Sequence, residues 1–203
     1  MDFRNASYCE NACKRNGRKA MIILIGGETH TGKTLLAQKL LEQYHFPYTS
    51  LDHIKMGLIH GYQDCGFTVY DSSDAISEKL WGVVSGIINT CLENKQDIIL
   101  EGCYLPPEKV KKLLSKEVAC IYLVFSQEYI DRHFDKIIAH ENVMEKRLVT
   151  ADIDKQALLF ANSRLKESCE GLGLPCVEIK SDYEKDIRAA YEMIQLSVQK
   201  ARK

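Results

Sequence analysis

Eight consecutive residues could hold phosphate: Gly27, Glu28, Thr29, His30, Thr31, Gly32, Lys33 and Thr34. They spell G-x-x-x-x-G-K-[ST]. A loop of this pattern turns its backbone N–H groups inward and forms an anion nest. The helix that follows adds the positive end of its dipole. Gly27 and Gly32 allow backbone conformations and a close approach that a Cβ would block. Lys33 is placed to reach the β- and γ-phosphates of a nucleotide, and the Thr34 hydroxyl to bind Mg²⁺. The pattern implies a magnesium nucleoside triphosphate; it does not name the reaction.

The flanking residues supply the context such a loop needs. The apolar run at 21–25 predicts a strand buried on both faces. Residues 33–44 read as a helix with Leu36, Leu40, Leu41 and Tyr44 on one face. A weaker strand at 47–51 leads to a short helix at 53–62 and a loop at 63–72. The spacing predicts a helix over 74–92 through Ile76, Leu80, Val83, Val84, Ile87, Ile88 and Cys91, capped by Ser73 or Asp74. A strand at 97–100 follows. Pro106 and Pro107 open a helix to about 115. A wholly apolar strand covers 118–125, and Ser126 caps a helix to about 139. Residues 140–153 are polar without a strong pattern. A helix at 154–171 stops at Gly171 or Gly173. A strand at 175–179 precedes the last helix, 183–200, with Ile187, Ala190, Tyr191, Ile194 and Val198 inward. Five strands, each followed by a helix, predict a parallel sheet covered on both faces.

Two acids stand where chemistry would need them. Asp52 ends the second expected strand, and in an open α/β sheet that end faces the ligand crevice. A carboxylate there could take the proton of an attacking hydroxyl; it could equally cap the helix at 53–62. Lys55 nearby could hold an anionic acceptor or lie solvated on the surface. Glu101 and Gly102 end the third strand. An acid there can hold the Mg²⁺ water shell or activate a nucleophile, or be a plain strand-end acid in a loop. Trp81, beside the inward stripe of its helix, reads as packing.

The run from Met21 to Gly57, MIILIGGETHTGKTLLAQKLLEQYHFPYTSLDHIKMG, resembles the start of small P-loop kinases. These include shikimate, gluconate and nucleoside-monophosphate kinases, and a group with 2-phosphoglycerate kinase and zeta-toxin-like kinases. The strongest likeness is to that last group, over most of residues 21–182. The resemblance implies a P-loop NTPase three-layer α/β sandwich, with a five-stranded parallel sheet of order 2-3-1-4-5 and a helical lid after the fourth strand. It implies ATP and Mg²⁺ as cofactors. The lid would be about 126–153, with Arg132, His133, Lys136, Lys146 and Arg147. A closing arginine stabilises the charge that phosphoryl transfer leaves on equatorial oxygens, and its planar fork suits phosphate. Arg164, on the next helix, could reach the nucleotide. Each of these basic residues also fits a plain surface charge. The chain lacks the Asp-Gly-Phe-Pro-Arg segment of adenylate kinases and the Gly-Gly-Gly and Asp-x-Asp signatures of shikimate kinases. Asp131-Arg132-His133 spells the D-R-[YH] of thymidylate kinases, but after the fourth strand instead of the third. The acceptor therefore does not carry over from these groups.

The chain has 203 residues, enough for one domain with its own core. Its composition, 45% apolar and 27% charged, excludes a wholly disordered chain. The longest apolar runs are too short to span a bilayer, and no stretch reads as a signal peptide. A cytoplasmic protein without a membrane partner is expected. Net charge is −1, which gives no electrostatic case for nucleic acid. Residues 1–20 are exceptional: five basic residues against two acidic ones, and no periodicity. They are expected to form a flexible basic tail ahead of a kinase domain at 21–203. Met21 is a candidate translation start, an idea that finding the tail in the N-terminal peptide of native protein would sink. The eight cysteines include no CxxC pair and read as reduced thiols; Cys9 and Cys13 could bind metal only with outside ligands.

The expected activity is transfer of the γ-phosphate of Mg-ATP to a hydroxyl or phosphate of a small-molecule acceptor. Lys33, Asp52, Glu101, Arg132 and Arg147 would be catalytic. Gly27 to Thr34 and Arg164 would bind nucleotide, and Thr34 and Glu101 the metal. Alternatives stay open: a nucleoside-monophosphate kinase, an ATP-binding regulatory module whose tail contacts a partner, and, by resemblance alone, a toxin acting on a sugar-nucleotide. The oligomeric state is open as well.

Overall fold

Strand β1 (Ile22–Gly27) is buried along its whole length, because both of its faces are covered. Ile22 and Leu24 point into one apolar cluster with Leu80, Val84 and Ile88. Met21, Ile23 and Ile25 point into another with Leu36, Leu40, Ile187 and Ile194. This period-two split of an unbroken apolar run is what a central parallel strand requires. The computed structural model describes residues 19–139 and 154–202.

Around β1 lie β2 (Tyr48–Ser50), β3 (Ile98–Glu101), β4 (Val118–Phe125) and β5 (Cys176–Ile179). The sheet order is β2-β3-β1-β4-β5, with every pairing parallel. The expected fold class and strand order thus hold. Helices α1 (Lys33–Tyr44) and α7 (Tyr183–Ala201) cover one face. The other face carries α2 (Leu51–Gly61), α3 (Ser73–Glu93), α4 (Pro107–Lys111) and part of α6 (Lys155–Leu172). Helix α5 (Gln127–Ala139) packs with the start of α6 over the ends of β4 and β5, through Phe125, Ile130, Ile137, Leu158 and Ile179.

Several expectations need correcting. Helix α2 starts at Leu51, two residues early, so Asp52 lies in its first turn and neither ends a strand nor caps a helix. Ser50 is the N-cap, without a side-chain cap bond, and its side chain bonds Glu101. Helix α3 is capped by Ser72, whose hydroxyl accepts from Ala75 N–H at 3.2 Å; neither Ser73 nor Asp74 serves. Val83 is exposed, so the inward face of α3 is narrower than its apolar pattern. Helix α4 ends at Lys111, short of the expected 115; Ser115 instead accepts from the N–H groups of Glu117 and Val118 and turns the chain into β4. Gly173, left-handed at φ 63°, stops α6. Residues 1–18, including Cys9 and Cys13, lie outside the described residues, as do residues 140–153 of the expected lid. Ala20 is already buried. Among the described residues no cysteine is in a disulfide, and no helix is long and apolar enough to cross a membrane.

Candidate active site

The loop from Gly27 to Thr34 joins β1 to α1, as its pattern predicts. Gly27 has φ +146° and Gly32, the N-cap of α1, has φ +85°. A Cβ on Gly27 would meet the Leu123 carbonyl oxygen at 2.4 Å. A Cβ on Gly32 would meet the Tyr183 hydroxyl at 1.7 Å. Both positions therefore need glycine for conformation and for space. His30 is also left-handed, at φ 65°. The Glu28 carbonyl oxygen is a hub: it accepts from the Thr31 hydroxyl and from Lys33 Nζ, each at 2.7 Å.

Three strand ends bring the other residues to this loop. Register does it: Ile25 of β1 pairs with Glu101 of β3, and Ser50 of β2 pairs with the same Glu101. Glu101, buried at 2% exposure, accepts from the Thr34 hydroxyl at 3.2 Å. Next to Glu101, Gly102 lies against Leu51: a Cβ there would come 2.8 Å from the Leu51 Cβ. This close approach sets the first turn of α2, and Asp52 with it, beside the end of β3. Asp52 Oδ1 accepts from Lys55 Nζ at 2.8 Å. The same Nζ donates to the Tyr104 hydroxyl at 2.8 Å.

The electrostatics follow from burial among acids. Burial works against the charge on Lys33; Cys103, Glu101, Asp52 and Glu28 around it outweigh that and hold its pKa above the usual lysine value. Burial likewise raises the Glu101 carboxyl, against the opposing pull of Lys33 and of its bonds to Ser50 and Thr34. Burial raises Glu28 too. The Cys103 thiol, bonded to Lys33, is pushed up by burial. A neutral thiol carries no charge, so the carboxylates keep the lysine an ammonium. One buried cation facing several acids, with a hydroxyl and an acid paired beside it, suits a polyanion and a divalent metal together.

The basic residues divide. Arg164 forms a two-pronged bond to Asp74, 2.8 and 2.9 Å long, across the gap between α6 and α3. Its charge also reaches the Glu28 carboxyl, where with Lys33 it opposes the upward pull of burial. Arg132 is exposed on α5. Arg147 and Lys146 lie outside the described residues. Four partnerships escaped the sequence reading: Ser50 with Glu101, Tyr104 with Lys55, Tyr183 behind Gly32, and Asp74 with Arg164; the sequence places Cys103 and Tyr104 beside the acceptor site but assigns them no role. Only Ser50 carried a usable signal, a hydroxyl where the second strand ends. Among the described residues no group of three or more His, Cys, Asp or Glu forms a metal cage. Mg²⁺ does not need one, since it keeps waters and binds through substrate phosphates. A cleft of about 520 Å³, lined by Met21, Val118, Pro175 and Lys200 among others, opens at the opposite ends of the strands and holds none of these residues.

Comparison with known proteins agrees with this geometry. The zeta toxin family model matches residues 5–124, more than half of the chain. No curated protein matches it in sequence. Its fold is similar to that of a protein from Chloroflexus aurantiacus J-10-fl, at 19% identity over 89% of this chain and 99% of that one, with a TM-score of 0.57. A shikimate kinase from Acinetobacter baumannii, solved with shikimate, aligns at 13% identity over 93% and 97% of the two chains, with a TM-score of 0.55. A gluconokinase from Sinorhizobium meliloti 1021 aligns at 14% identity over 90% and 96%, with a TM-score of 0.53. These three likenesses are of fold. With its phosphate loop, its strand order and the family match taken together, the chain belongs to the zeta toxin family.

Proposed function

We propose that the protein is an ATP-dependent phosphotransferase that moves the γ-phosphate of Mg-ATP to a hydroxyl of a small metabolite. The observation that carries this reading is the convergence of Lys33, Thr34, Glu101 and Asp52 at the ends of β1, β2 and β3. A module that only bound nucleotide would need the first two; the acids are what a transfer to an acceptor requires.

The residues fit Mg-ATP. Gly27 and Gly32 leave a cradle that a Cβ would fill, and Lys33 is buried yet kept charged by its acids. Bound there, Mg-ATP supplies the transferable phosphoryl group and the metal's charge. The N–H groups of the loop orient the phosphates, and the Lys33 ammonium, now on the Glu28 carbonyl oxygen, neutralises charge on the oxygens that transfer. The Thr34 hydroxyl and Glu101, paired at 3.2 Å, would hold the metal. Asp52 takes the proton of the acceptor hydroxyl on a carboxylate oxygen, which favours a hydroxyl acceptor over a phosphate. Arg132, exposed on α5, would add positive charge against the transferring oxygens; Arg147, expected in the same role, lies outside the described residues. Arg164 exchanges Asp74 for nucleotide phosphate, which an exposed ion pair worth about 1 kcal/mol or less allows.

Calorimetric titration with Mg-ATP tests the nucleotide half of this reading. Wild type binds, and K33A loses most of the affinity. T34A loses the dependence of binding on Mg²⁺. Equal binding by wild type and K33A contradicts the assignment.

A further inference from the structure

In the first turn of α2 the Asp52 carboxylate has a competing use. First-turn N–H groups have no partner within the helix, and an aspartate there readily turns back onto them. The N-cap Ser50 does not satisfy them, since its side chain makes no cap bond. Lys55, one turn along, engages the carboxylate, its Nζ 2.8 Å from Oδ1. Its second bond, to the Tyr104 hydroxyl, reaches the segment after β3, where Tyr104 is 7% exposed. The ammonium is thereby tied to the sheet as well as to its own helix. Side-chain exposures of 14% for Lys55 and 25% for Asp52 take the pair out of the surface regime, where ion pairs do little. A lysine fixed at two acceptors has given up the mobility of its long stem, so it can hold a geometry. Other groups that act on or answer to Asp52 include Lys33 on α1, and Glu101, Cys103 and Tyr104 at and after the end of β3.

We infer that Lys55, anchored by Tyr104, is a positioning residue that holds the Asp52 carboxylate beside Lys33 and Glu101, away from the N–H groups of its own helix. This rests on the phosphotransfer reading above, in which Asp52 receives the acceptor's proton.

Water can act as the acceptor, so the test needs no identified substrate. Turnover of Mg-ATP to ADP is measured for wild type, K55M, K55R, Y104F, D52N, K55M/D52N and K33A, after melting curves establish that each is folded. K55M is expected to lower kcat about 10- to 100-fold, the penalty for a misplaced reacting group, with KM for Mg-ATP within about twofold. K55R restores most of the rate. Y104F, which keeps both charges and loses only the anchor, falls between. K55M added to D52N has no further effect. The inference is overturned by K55M at the wild-type rate, by an effect confined to KM, by K55R no better than K55M, or by independent losses in the double variant. A crystal structure of K55M gives a readout free of turnover: Asp52 is expected back on the N–H groups of α2, and a carboxylate still beside Lys33 overturns the inference. Wild-type turnover by K33A would sink the phosphotransfer reading itself, whatever Lys55 does.

Discussion

Replacing Gly32 by alanine puts a methyl group where there is no room. Its Cβ would lie 1.7 Å from the Tyr183 hydroxyl oxygen and 2.9 Å from the Tyr183 Cζ. Tyr183 cannot swing away cheaply, because its ring packs against two apolar clusters at once. Overpacking of this kind costs about 1–3 kcal/mol. The φ of +85° adds about 1 kcal/mol for any residue with a Cβ. The sum, about 2–4 kcal/mol, corresponds to a fall in melting temperature of roughly 5–15 °C for a chain of this size. The two contributions can be separated. In a Tyr183→Ala background the steric part disappears and only the backbone part, about 1 kcal/mol, remains. Urea unfolding of wild type, G32A, Y183A and the double variant measures both. A G32A protein within about 0.5 kcal/mol of wild type, or a cost that is unchanged without Tyr183, refutes the reasoning.

Three further outcomes are expected. Asn162, buried at 1% exposure, accepts from the Phe125 N–H and donates to the Leu158 carbonyl, both at 2.8 Å; N162A leaves the end of β4 with an unmet donor and lowers unfolding free energy by about 1–3 kcal/mol in urea. E101Q keeps an acceptor for Thr34 but loses the charge, so half-maximal turnover requires more Mg²⁺; an unchanged metal requirement removes Glu101 from the metal site. Arg164 beside Asp74 holds that carboxyl below the usual carboxylate range, so the pair's stabilisation is present at neutral pH and is lost as pH falls through the lowered pKa. Both side chains are more than half exposed, which limits the effect to about 1 kcal/mol or less. The melting-temperature gap between wild type and D74N is expected at neutral pH and narrows as the pH falls through the lowered pKa of Asp74; a gap that ignores pH contradicts the assignment.

What could be read from the chain was local. The phosphate loop needs glycines, a lysine and a hydroxyl at fixed offsets along one stretch of backbone, so eight residues state it in full. Burial on two faces shows in the unbroken apolar runs of β1 and β4. Alternation of strands and helices implied a parallel sheet, but its order came from resemblance, because pairing is a through-space choice. The site residues that escaped notice are through-space as well. Tyr104 reaches Lys55 from 49 residues away and Arg164 reaches Asp74 from 90; Tyr183 meets Gly32 because α7 and α1 share a face of the sheet. Asp52 shows how much two residues matter: α2 begins where β2 stops pairing, at Ser50 and Glu101, and that places Asp52 in a helical turn with a lysine one turn on.

Release of ADP from Mg-ATP across a panel of acceptors tests the central claim most directly. The panel holds sugar acids, phosphoglycerates, nucleoside monophosphates and sugar-nucleotides, with K33A and D52A as controls. One acceptor is expected to raise ADP release well above the background with water, and both variants to lose that stimulation. Stimulation that survives in D52A, or binding of Mg-ATP with slow hydrolysis that no acceptor raises, would contradict the account and leave a nucleotide-binding module in its place.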